Sequence, residues 1–376
     1  MKFVVAPDKF KGSLSGHEFC TTVAKELHEA FPEAEILQIP LADGGDGTIE
    51  VVQQHLNAKA VTITVNDPLF RKVSATCLFS ESKKMAFIEM SEASGHRLLE
   101  PNELNCMQTT TLGTGELIAD AIQRGAVEIF LGIGGSATND GGMGAAQALG
   151  YSFLDADGKV LRPIGKHLGD VAKIVPPKEN ILDSINFKVA CDVDNPFYGE
   201  HGAAKVYAAQ KGASKEEIEL LDGGLMHFAE IINSQLEIDI QQIPGAGAAG
   251  GLGGGAVAFL NAELVSGIDL IKEIADFDAK IKGADWVITG EGKLDSQTLS
   301  GKTIGGILAS AKKENIPVAA LCGLVELSQS EAKEIGLAYV VSVSEGMPNL
   351  QEAMKRAEEN LTKATQDFCR FLKTKS

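Results

Sequence analysis

Pairs of carboxylates follow predicted strands at two places in this chain. The stretch LADGGDGT carries Asp43 and Asp46 on either side of a glycine pair, and ACDVDNPF carries Asp192 and Asp194 two residues apart. Such pairs can hold a hard cation such as Mg²⁺, or one member can accept a proton from an attacking hydroxyl. The spacing of the second pair predicts that both side chains lie on one face of a strand end. A plain turn is the alternative at both places.

Lysines also follow predicted strands. DKFKGS places Asp8, Lys9 and Lys11 after the first strand and just before a helix, and a helix N-terminus flanked by lysines attracts anions. A solvated turn is the alternative here.

A second lysine-containing stretch is TGEGKLDSQTLSGKT, which contains Glu291, Lys293, Asp295 and Lys302. It ends like a phosphate-binding P-loop, but Ser296 stands where the P-loop needs its first glycine, so a P-loop is not predicted.

The densest signal is GIGGSATNDGGMG, which follows the predicted strand EIFLGI. Gly132, Gly134 and Ala137 match the outline of the dinucleotide fingerprint G-x-G-x-x-[GA]. Further glycines stand where the helix of that motif should run, so a phosphate-binding or substrate-binding loop is the better prediction. Its polar contacts would be Ser136, Thr138, Asn139 and Asp140.

A glycine-rich stretch, PGAGAAGGLGGG, contains Gly250, Gly251 and Gly253 ahead of an apolar helix. It has no side-chain chemistry of its own. We predict that its backbone approaches phosphates or an adenine ring closely.

Composition limits the classes of partner. The formal net charge of the 376 residues is −17, which argues against nucleic acid and anionic membranes, because both are bound through basic surfaces. No signal peptide or membrane-spanning run is visible, and the six cysteines form no C-x-x-C pair. We therefore expect a cytoplasmic protein with reduced thiols and small-molecule partners.

The order of elements predicts an α/β fold with two domains. Residues 1–60 and 275–376 alternate strand and helix, which is typical of a Rossmann-like, doubly wound parallel sheet. Residues 61–274 begin with strand-like segments that no long helix separates, which favours antiparallel pairing and an inserted α+β domain. The helix and strand within 109–133 fit either domain. The last helix is predicted to be long and to begin at Asn349.

Taken together, these stretches resemble the bacterial glycerate kinase family of the first type. APDKFKGSLS, LADGGDGT, GIGGSATNDGG, CDVDNP, GAAGGLGGG and TGEGKLDSQTLSGKT occur in the family's order, and the likeness covers nearly the whole chain. Asp46, where Glu is commoner, and Phe197 after the Asn-Pro pair depart from the family's pattern. The family's fold, a Rossmann-like domain with a different α/β domain inserted, agrees with the organisation predicted above.

The resemblance implies transfer of the γ-phosphoryl group of ATP to a hydroxyl of D-glycerate, in this type usually giving 2-phosphoglycerate. We expect ATP and Mg²⁺ as co-substrate and cofactor, and glycerate as the acceptor. The oligomeric state stays open, a homo-oligomer included. Two other classes remain as alternatives: an NAD(P)-dependent oxidoreductase of a small hydroxy acid, and a non-catalytic two-lobed ligand-binding protein.

With that activity the candidate residues take predicted roles. Catalysis is assigned to Asp192, Asp194, Lys9 and Lys293. Binding of substrate and phosphate is assigned to Asp8, Lys11, Ser136, Thr138, Asn139, Gly250, Gly251, Gly253 and Lys302. Metal binding is assigned to Asp43, Asp46, Glu291 and Asp295.

Overall fold

Alternating strands and helices make up most of the chain in the computed structural model, which describes residues 1–44, 48–178, 181–295 and 303–375. The strands within these residues are β1 (Lys2–Val5), β2 (Glu35–Gln38), β3 (Lys59–Asn66), β4 (Lys72–Ser80), β5 (Met85–Glu89), β6 (Glu128–Gly132), β7 (Ser152–Leu154), β8 (Lys173–Val175), β9 (Asn186–Ala190), β10 (Glu263–Val265), β11 (Trp286–Thr289), β12 (Lys293–Leu294), β13 (Val318–Cys322), β14 (Leu324–Val325) and β15 (Leu337–Ser342).

The helices of the described chain are α1 (Gly16–Ala30), α2 (Thr48–Leu56), α3 (Ser91–Ser94), α4 (Leu112–Gln123), α5 (Met143–Ala148), α6 (Ala203–Tyr207), α7 (Lys215–Leu236), α8 (Ala248–Leu260), α9 (Gly267–Ile274), α10 (Phe277–Lys280), α11 (Thr303–Lys313), α12 (Gln329–Glu334), α13 (Leu350–Lys355) and α14 (Ala357–Lys375). Short 3₁₀ turns lie at His96–Leu98, Pro101–Glu103, Gly165–Asp170, Ile181–Ser184, Ala209–Lys211 and Ile240–Gln242.

The chain divides into two compact units. Unit 1 consists of Met1–His55 and Gly267–Ser376, and unit 2 of Leu56–Ser266. The helix and strand that fitted either predicted domain, α4 and β6, belong to unit 2. The predicted boundaries after residues 60 and 274 stay a prediction about where separately folding domains begin and end.

Unit 1 contains a fully parallel five-stranded sheet in the order β15-β13-β11-β1-β2. The first helix begins where its sequence predicts: Ser15 is the N-cap of α1, and Glu18 returns a carboxylate to the backbone N–H of Ser15 in a capping box. Phe19 and Val23 of α1 are buried against β1 and against α14. The alternation of buried strand and amphipathic helix therefore builds the Rossmann-like sheet predicted from the sequence.

Unit 2 contains a six-stranded mixed sheet in the order β10-β9-β6-β5-β4-β3. The strands β3, β4 and β5 pair antiparallel, as the absence of helices between them predicts, whereas β5, β6, β9 and β10 pair parallel. The four parallel strands end at one edge of the sheet. The loops that follow them are therefore placed side by side.

The parallel sheet of unit 1 and the mixed sheet of unit 2, each with helices, confirm the predicted α/β fold class.

The glycine-rich stretch differs from the prediction of a loop followed by a helix. Its last eight residues lie within α8, where Ala249, Gly250 and Gly251, near the start of the helix, have left-handed backbone dihedrals. The glycines are buried against other segments of unit 2: a Cβ on Gly250 would lie 2.0 Å from the carbonyl oxygen of Thr138, and one on Gly255 would lie 2.3 Å from that of Gly141. Close packing of the chain against itself requires these glycines, and the approach of Gly250, Gly251 and Gly253 to phosphates or an adenine ring stays a prediction.

The long C-terminal helix predicted to begin at Asn349 is two helices. Asn349 caps α13 by accepting a hydrogen bond from the N–H of Glu352, as expected, but the backbone leaves helical geometry at Arg356. Neither glycine nor proline marks this break in the sequence. None of the helices in the described part of the chain has the length and hydropathy to span a bilayer.

We expect Gly250→Ala to lower the free energy of unfolding by about 2–5 kcal/mol. Two costs add there: about 1–2 kcal/mol for a left-handed non-glycine residue and about 1–3 kcal/mol for the clash with Thr138. Gly158→Ala is the matched control, because Gly158 has a similar φ of +80° but open space around its Cβ position. It should cost only the first of the two terms. Urea unfolding followed by circular dichroism measures both, and equal losses would contradict the packing role of Gly250.

Candidate active site

In unit 1, Asp8 lies where β1 ends, at the carboxyl edge of the parallel sheet. Its N–H donates to the carbonyl oxygen of Gly290, directly after β11. Its carboxylate accepts a hydrogen bond from the Thr303 hydroxyl at 2.7 Å and another from the Lys9 N–H at 2.7 Å. Burial raises the pKa of Asp8, and the nearby negative charge of Asp43 raises it further, while these two hydrogen bonds lower it.

The position of Asp8 is the one at which doubly wound sheets bind ligands. After β1 the chain continues to β2 on one side, and when it returns from unit 2 it adds β11 on the other side. Ligands bind where the direction of strand addition reverses, because the loops diverge and leave a crevice. Glu291 follows β11 at the same edge and is buried, with 8% of its surface exposed. The structure therefore brings together Asp8, Lys9, Asp43 and Glu291 in unit 1.

Lys293 has carboxylate partners of its own. Its ammonium lies 3.3 Å from Asp295 and 2.9 Å from Glu326, and these partners raise its pKa. A phosphate at Lys293 would compete with both carboxylates. The predicted candidates Asp46 and Lys302 lie outside the described residues.

Two clefts of unit 1 adjoin these residues. One has a volume of about 370 Å³ and is lined by Asp8, Lys9, Pro40 and Glu50 among others. The other, of about 500 Å³, is mostly apolar, with Phe10, Leu324, Val343 and Met354 in its walls and Lys11 among the residues that line it. We call the second one the apolar cleft.

In unit 2, the loop after β6 is organised by the carboxylate of Asp140, which is fully buried. One of its oxygens accepts hydrogen bonds from the Thr111 N–H (2.7 Å), the Thr111 hydroxyl (2.8 Å) and the Gly144 N–H (3.1 Å), and the other accepts one from the Gly142 N–H (3.2 Å). Burial raises the pKa of Asp140 against these hydrogen bonds. Asp140 is therefore an internal anchor of the loop, and its contact with a ligand stays a prediction.

Lys211 supports the same loop and was missed by sequence reasoning, since a single lysine before a glycine carries no distinguishing signal. It is 3% exposed, and its ammonium donates to the Ser136 hydroxyl and to the Thr138 carbonyl oxygen, both at 2.7 Å. Burial lowers its pKa to about 8, while Cys106 and Asp140 oppose that shift. A buried lysine thus fixes the loop between Gly134 and Asn139.

The predicted substrate contacts of this loop differ in exposure. Gly134 and Gly135 are exposed and Ser136 is partly buried, whereas Thr138 and Asn139 are completely buried. The Thr138 hydroxyl and both polar atoms of the Asn139 amide have no hydrogen-bond partner among the described residues. Each such group costs about 1–3 kcal/mol when left unsatisfied, so a polar ligand atom that reached it would be favoured.

The loop is not the turn of a dinucleotide-binding unit. In that motif the helix begins within the glycine pattern, but α5 begins at Met143, well after Gly132. The additional glycines of this loop have a structural reason. Gly141 and Gly142 lack side chains, and the backbone of α8 packs closely against both.

Asp192 and Asp194 do not lie on a strand. The strand β9 ends at Ala190, and both aspartates are exposed in the loop beyond it, so strand alternation does not fix their directions as predicted. The loop is anchored just afterwards by Asn195, whose amide donates to the His201 carbonyl oxygen and accepts from the Tyr207 hydroxyl. Among the described residues no three His, Cys, Asp or Glu side chains form a ready metal cluster.

Comparison with known proteins matches almost the whole chain to one protein family. Residues 3–373 match the model of the glycerate kinase family. The chain is 42% identical over 362 residues to a glycerate kinase of Bacillus cereus, covering 96% of this chain and 95% of that protein. It is 40% identical over 373 residues to the glycerate 2-kinase of Escherichia coli, covering 99% and 98%.

A solved structure gives the same result in three dimensions. The crystal structure of a Salmonella typhimurium LT2 protein assigned to glycerate kinase 2 superposes with a TM-score of 0.87 at 40% identity, and the match covers 100% of this chain and 98% of that one.

We expect Asp140→Asn to lower the free energy of unfolding by about 1–3 kcal/mol, because the amide nitrogen must face an N–H donor that the carboxylate accepted. Asp170→Asn, at an exposed position of the same unit, should change it by less than about 0.5 kcal/mol. Urea unfolding followed by circular dichroism makes the comparison. Equal stability of the two variants would exclude Asp140 as the anchor of the loop.

Proposed function

The chain belongs to the glycerate kinase family, and we propose that it transfers the γ-phosphoryl group of ATP to the 2-hydroxyl of D-glycerate, giving 2-phosphoglycerate and ADP. It is a phosphotransferase with an alcohol group as acceptor. The observation that carries the proposal is the family match over almost the entire chain, which includes the edges of both sheets where the candidate residues lie. The position of phosphorylation follows the 2-kinase relative.

Phosphoryl transfer requires positioning and charge compensation more than covalent chemistry. In unit 1, we assign to Lys9 and Lys11 the compensation of phosphate charge, because both adjoin clefts at the sheet edge. Lys293 is paired with Asp295 and Glu326, and the third N–H of its ammonium could donate to a phosphate oxygen. The assignment of Lys302 to a phosphate remains part of the proposal.

The carboxylates of unit 1 suit Mg²⁺. This ion is usually held by one or two carboxylates, by water and by substrate phosphates, so a three-residue cluster is not required. The pKa of Asp8 is raised by burial and then by Asp43, which means that a cation beside the pair would relieve a real electrostatic cost. Asp8 and Asp43 would hold the ion, with Glu291 and Asp295 as further candidates, and the ion would supply positive charge to the phosphates. Asp8 therefore suits a metal better than the direct phosphate contact first predicted.

Unit 2 offers the groups that a small hydroxy acid needs. We propose that glycerate lies over the exposed turn at Gly134 and Gly135 and hydrogen-bonds to Ser136, Thr138 and Asn139. The support is that Lys211 fixes this turn and that the Thr138 and Asn139 side chains have unsatisfied polar atoms. Asp192 and Asp194 remain candidates at the neighbouring strand end.

The apolar cleft of unit 1 suits the adenine ring of ATP. Its walls offer Leu324, Val343 and Met354, and methionine sulfur and flat apolar surfaces contact aromatic rings favourably. Lys11 lines the same cleft, where it could meet the phosphates of a nucleotide. A cytoplasmic location completes the proposal.

The purified protein with Mg-ATP should release ADP only when D-glycerate is present, and NMR of the product should show phosphate on the 2-hydroxyl. A 3-phosphoglycerate product would contradict the assigned position alone. Glycerate-independent ADP release, or none from folded protein, would contradict the kinase itself.

Leu324→Asp should raise the KM for ATP about tenfold, equivalent to about 1.4 kcal/mol, and leave the KM for glycerate unchanged. The reason is that a carboxylate would replace an apolar wall of the cleft and repel the nucleotide. Leu324 is 46% exposed, so the substitution should not disturb folding. Leu220→Asp, on the exposed face of α7 in unit 2, is the control and should leave both KM values unchanged. An unaltered KM for ATP in Leu324→Asp would remove the nucleotide from this cleft.

A further inference from the structure

Glu89 is an acidic side chain that belongs to none of the motifs described above. It is the last residue of β5 and stands in register with Gly132, the last residue of β6, which in turn pairs with Ala190 at the end of β9. The three residues form one row at the carboxyl edge of the sheet, directly before the loops assigned to glycerate. The direction of the strands thus brings this carboxylate to the candidate substrate site of unit 2.

The carboxylate of Glu89 lies over the backbone of Gly132. A Cβ on Gly132 would approach the two carboxylate oxygens to 2.4 and 2.7 Å, so a residue with a side chain could not stand there without displacing Glu89. Gly134 and Gly135, the exposed turn that follows, continue the same segment. The glycine at position 132 leaves room for an acid beside that turn.

The carboxylate has no hydrogen-bond donor among the described residues, although Glu89 is only partly exposed. Burial raises its pKa to about 7, and Arg97 opposes the shift. Arg97 itself forms an ion pair with Glu92. The other charged groups at the neighbouring turns are engaged elsewhere, with His96 bonded to the Gln210 carbonyl oxygen and Lys211 to Ser136 and Thr138.

We propose that Glu89 is the general base that accepts the proton of the glycerate hydroxyl during phosphoryl transfer, an assignment that rests on the proposed function. The hydroxyl O–H bond breaks and its proton passes to a carboxylate oxygen of Glu89. The hydroxyl oxygen forms a bond to the γ-phosphorus of ATP, and the bond from that phosphorus to the bridging oxygen breaks, so that ADP leaves with the electron pair. Glu89 then releases the proton to water.

Glu89 meets the chemical requirements better than the aspartates after β9. A base works best when its pKa is near the operating pH and when it keeps an unoccupied acceptor for the substrate. Glu89 offers both, in a fixed position at the end of a buried strand. Asp192 follows a strand that is two places away in the sheet, which corresponds to about 10 Å, and is exposed to water.

The decisive variant is Glu89→Gln, assayed as glycerate-dependent ADP release by the full-length protein. We expect kcat to fall about 10²–10⁴-fold while the KM values for glycerate and ATP change little. The wild type should lose kcat/KM as the pH falls below about 7, because the base must be deprotonated, and this acidic limb should disappear in the variant. Glu128→Gln makes the same change at the opposite end of the sheet and should leave kcat and the limb unaltered.

A second variant tests the role without touching Glu89. Arg97→Gln removes the positive charge that lowers the pKa of Glu89, so the acidic limb should move to higher pH. An unshifted limb, or a Glu89→Gln enzyme with wild-type kcat, would overturn the role of Glu89 and leave the kinase activity intact. A rise in the KM for glycerate at constant kcat would also overturn it. Absence of turnover in the folded wild type would instead refute the proposed function, and the role of Glu89 with it.

Discussion

The buried carboxylate of Asp140 is the interaction on which the candidate substrate site of unit 2 depends. A carboxylate in the interior is costly unless donors surround it, and here four hydrogen bonds from Thr111, Gly142 and Gly144 supply that compensation. These bonds join the start of α4 to the start of α5, so the turn between β6 and α5 has one shape. Lys211 holds the other half of the same loop through its hydrogen bonds to Ser136 and Thr138. The exposed residues Gly134 and Gly135 therefore belong to a rigid loop, in which they can face a ligand.

The glycines of α8 contribute to this rigidity. The left-handed backbone at Gly250 and the bare Cα atoms of α8 let that helix approach the loop around Thr138 and Gly141. Such close approach transmits the position of one segment to the other, since neither can shift without a clash. The carboxylate of Glu89 at the end of β5 also depends on a glycine, because Gly132 has no side chain that would displace it.

Much of this arrangement could be predicted from the sequence. Buried strands alternating with amphipathic helices specify the parallel sheet of unit 1, and Ser15 with Glu18 specify where α1 begins. The ordered motifs led to the correct family. Side-chain direction could not be predicted in the same way. Asp140 and Ser136 belong to one polar stretch, yet only the donors at the starts of α4 and α5 decide that Asp140 turns inward. Lys211 and Glu89 carry no local signal, because their meaning comes from segments distant in sequence.

The order of strands in unit 1 also has a consequence for synthesis of the chain on the ribosome. The strand β1 is hydrogen-bonded between β2 and β11, and α1 packs against α14 at the far end of the sequence. Unit 2 is continuous, so all its contacts can form while the C-terminal third is still being made. The first fifty residues must wait, with one edge of β1 unpaired, until Trp286 and the strands after it emerge. A nascent chain stalled before that point would expose an unpaired β-edge to which other chains can pair. We therefore expect chaperones to bind the N-terminal segment at this stage.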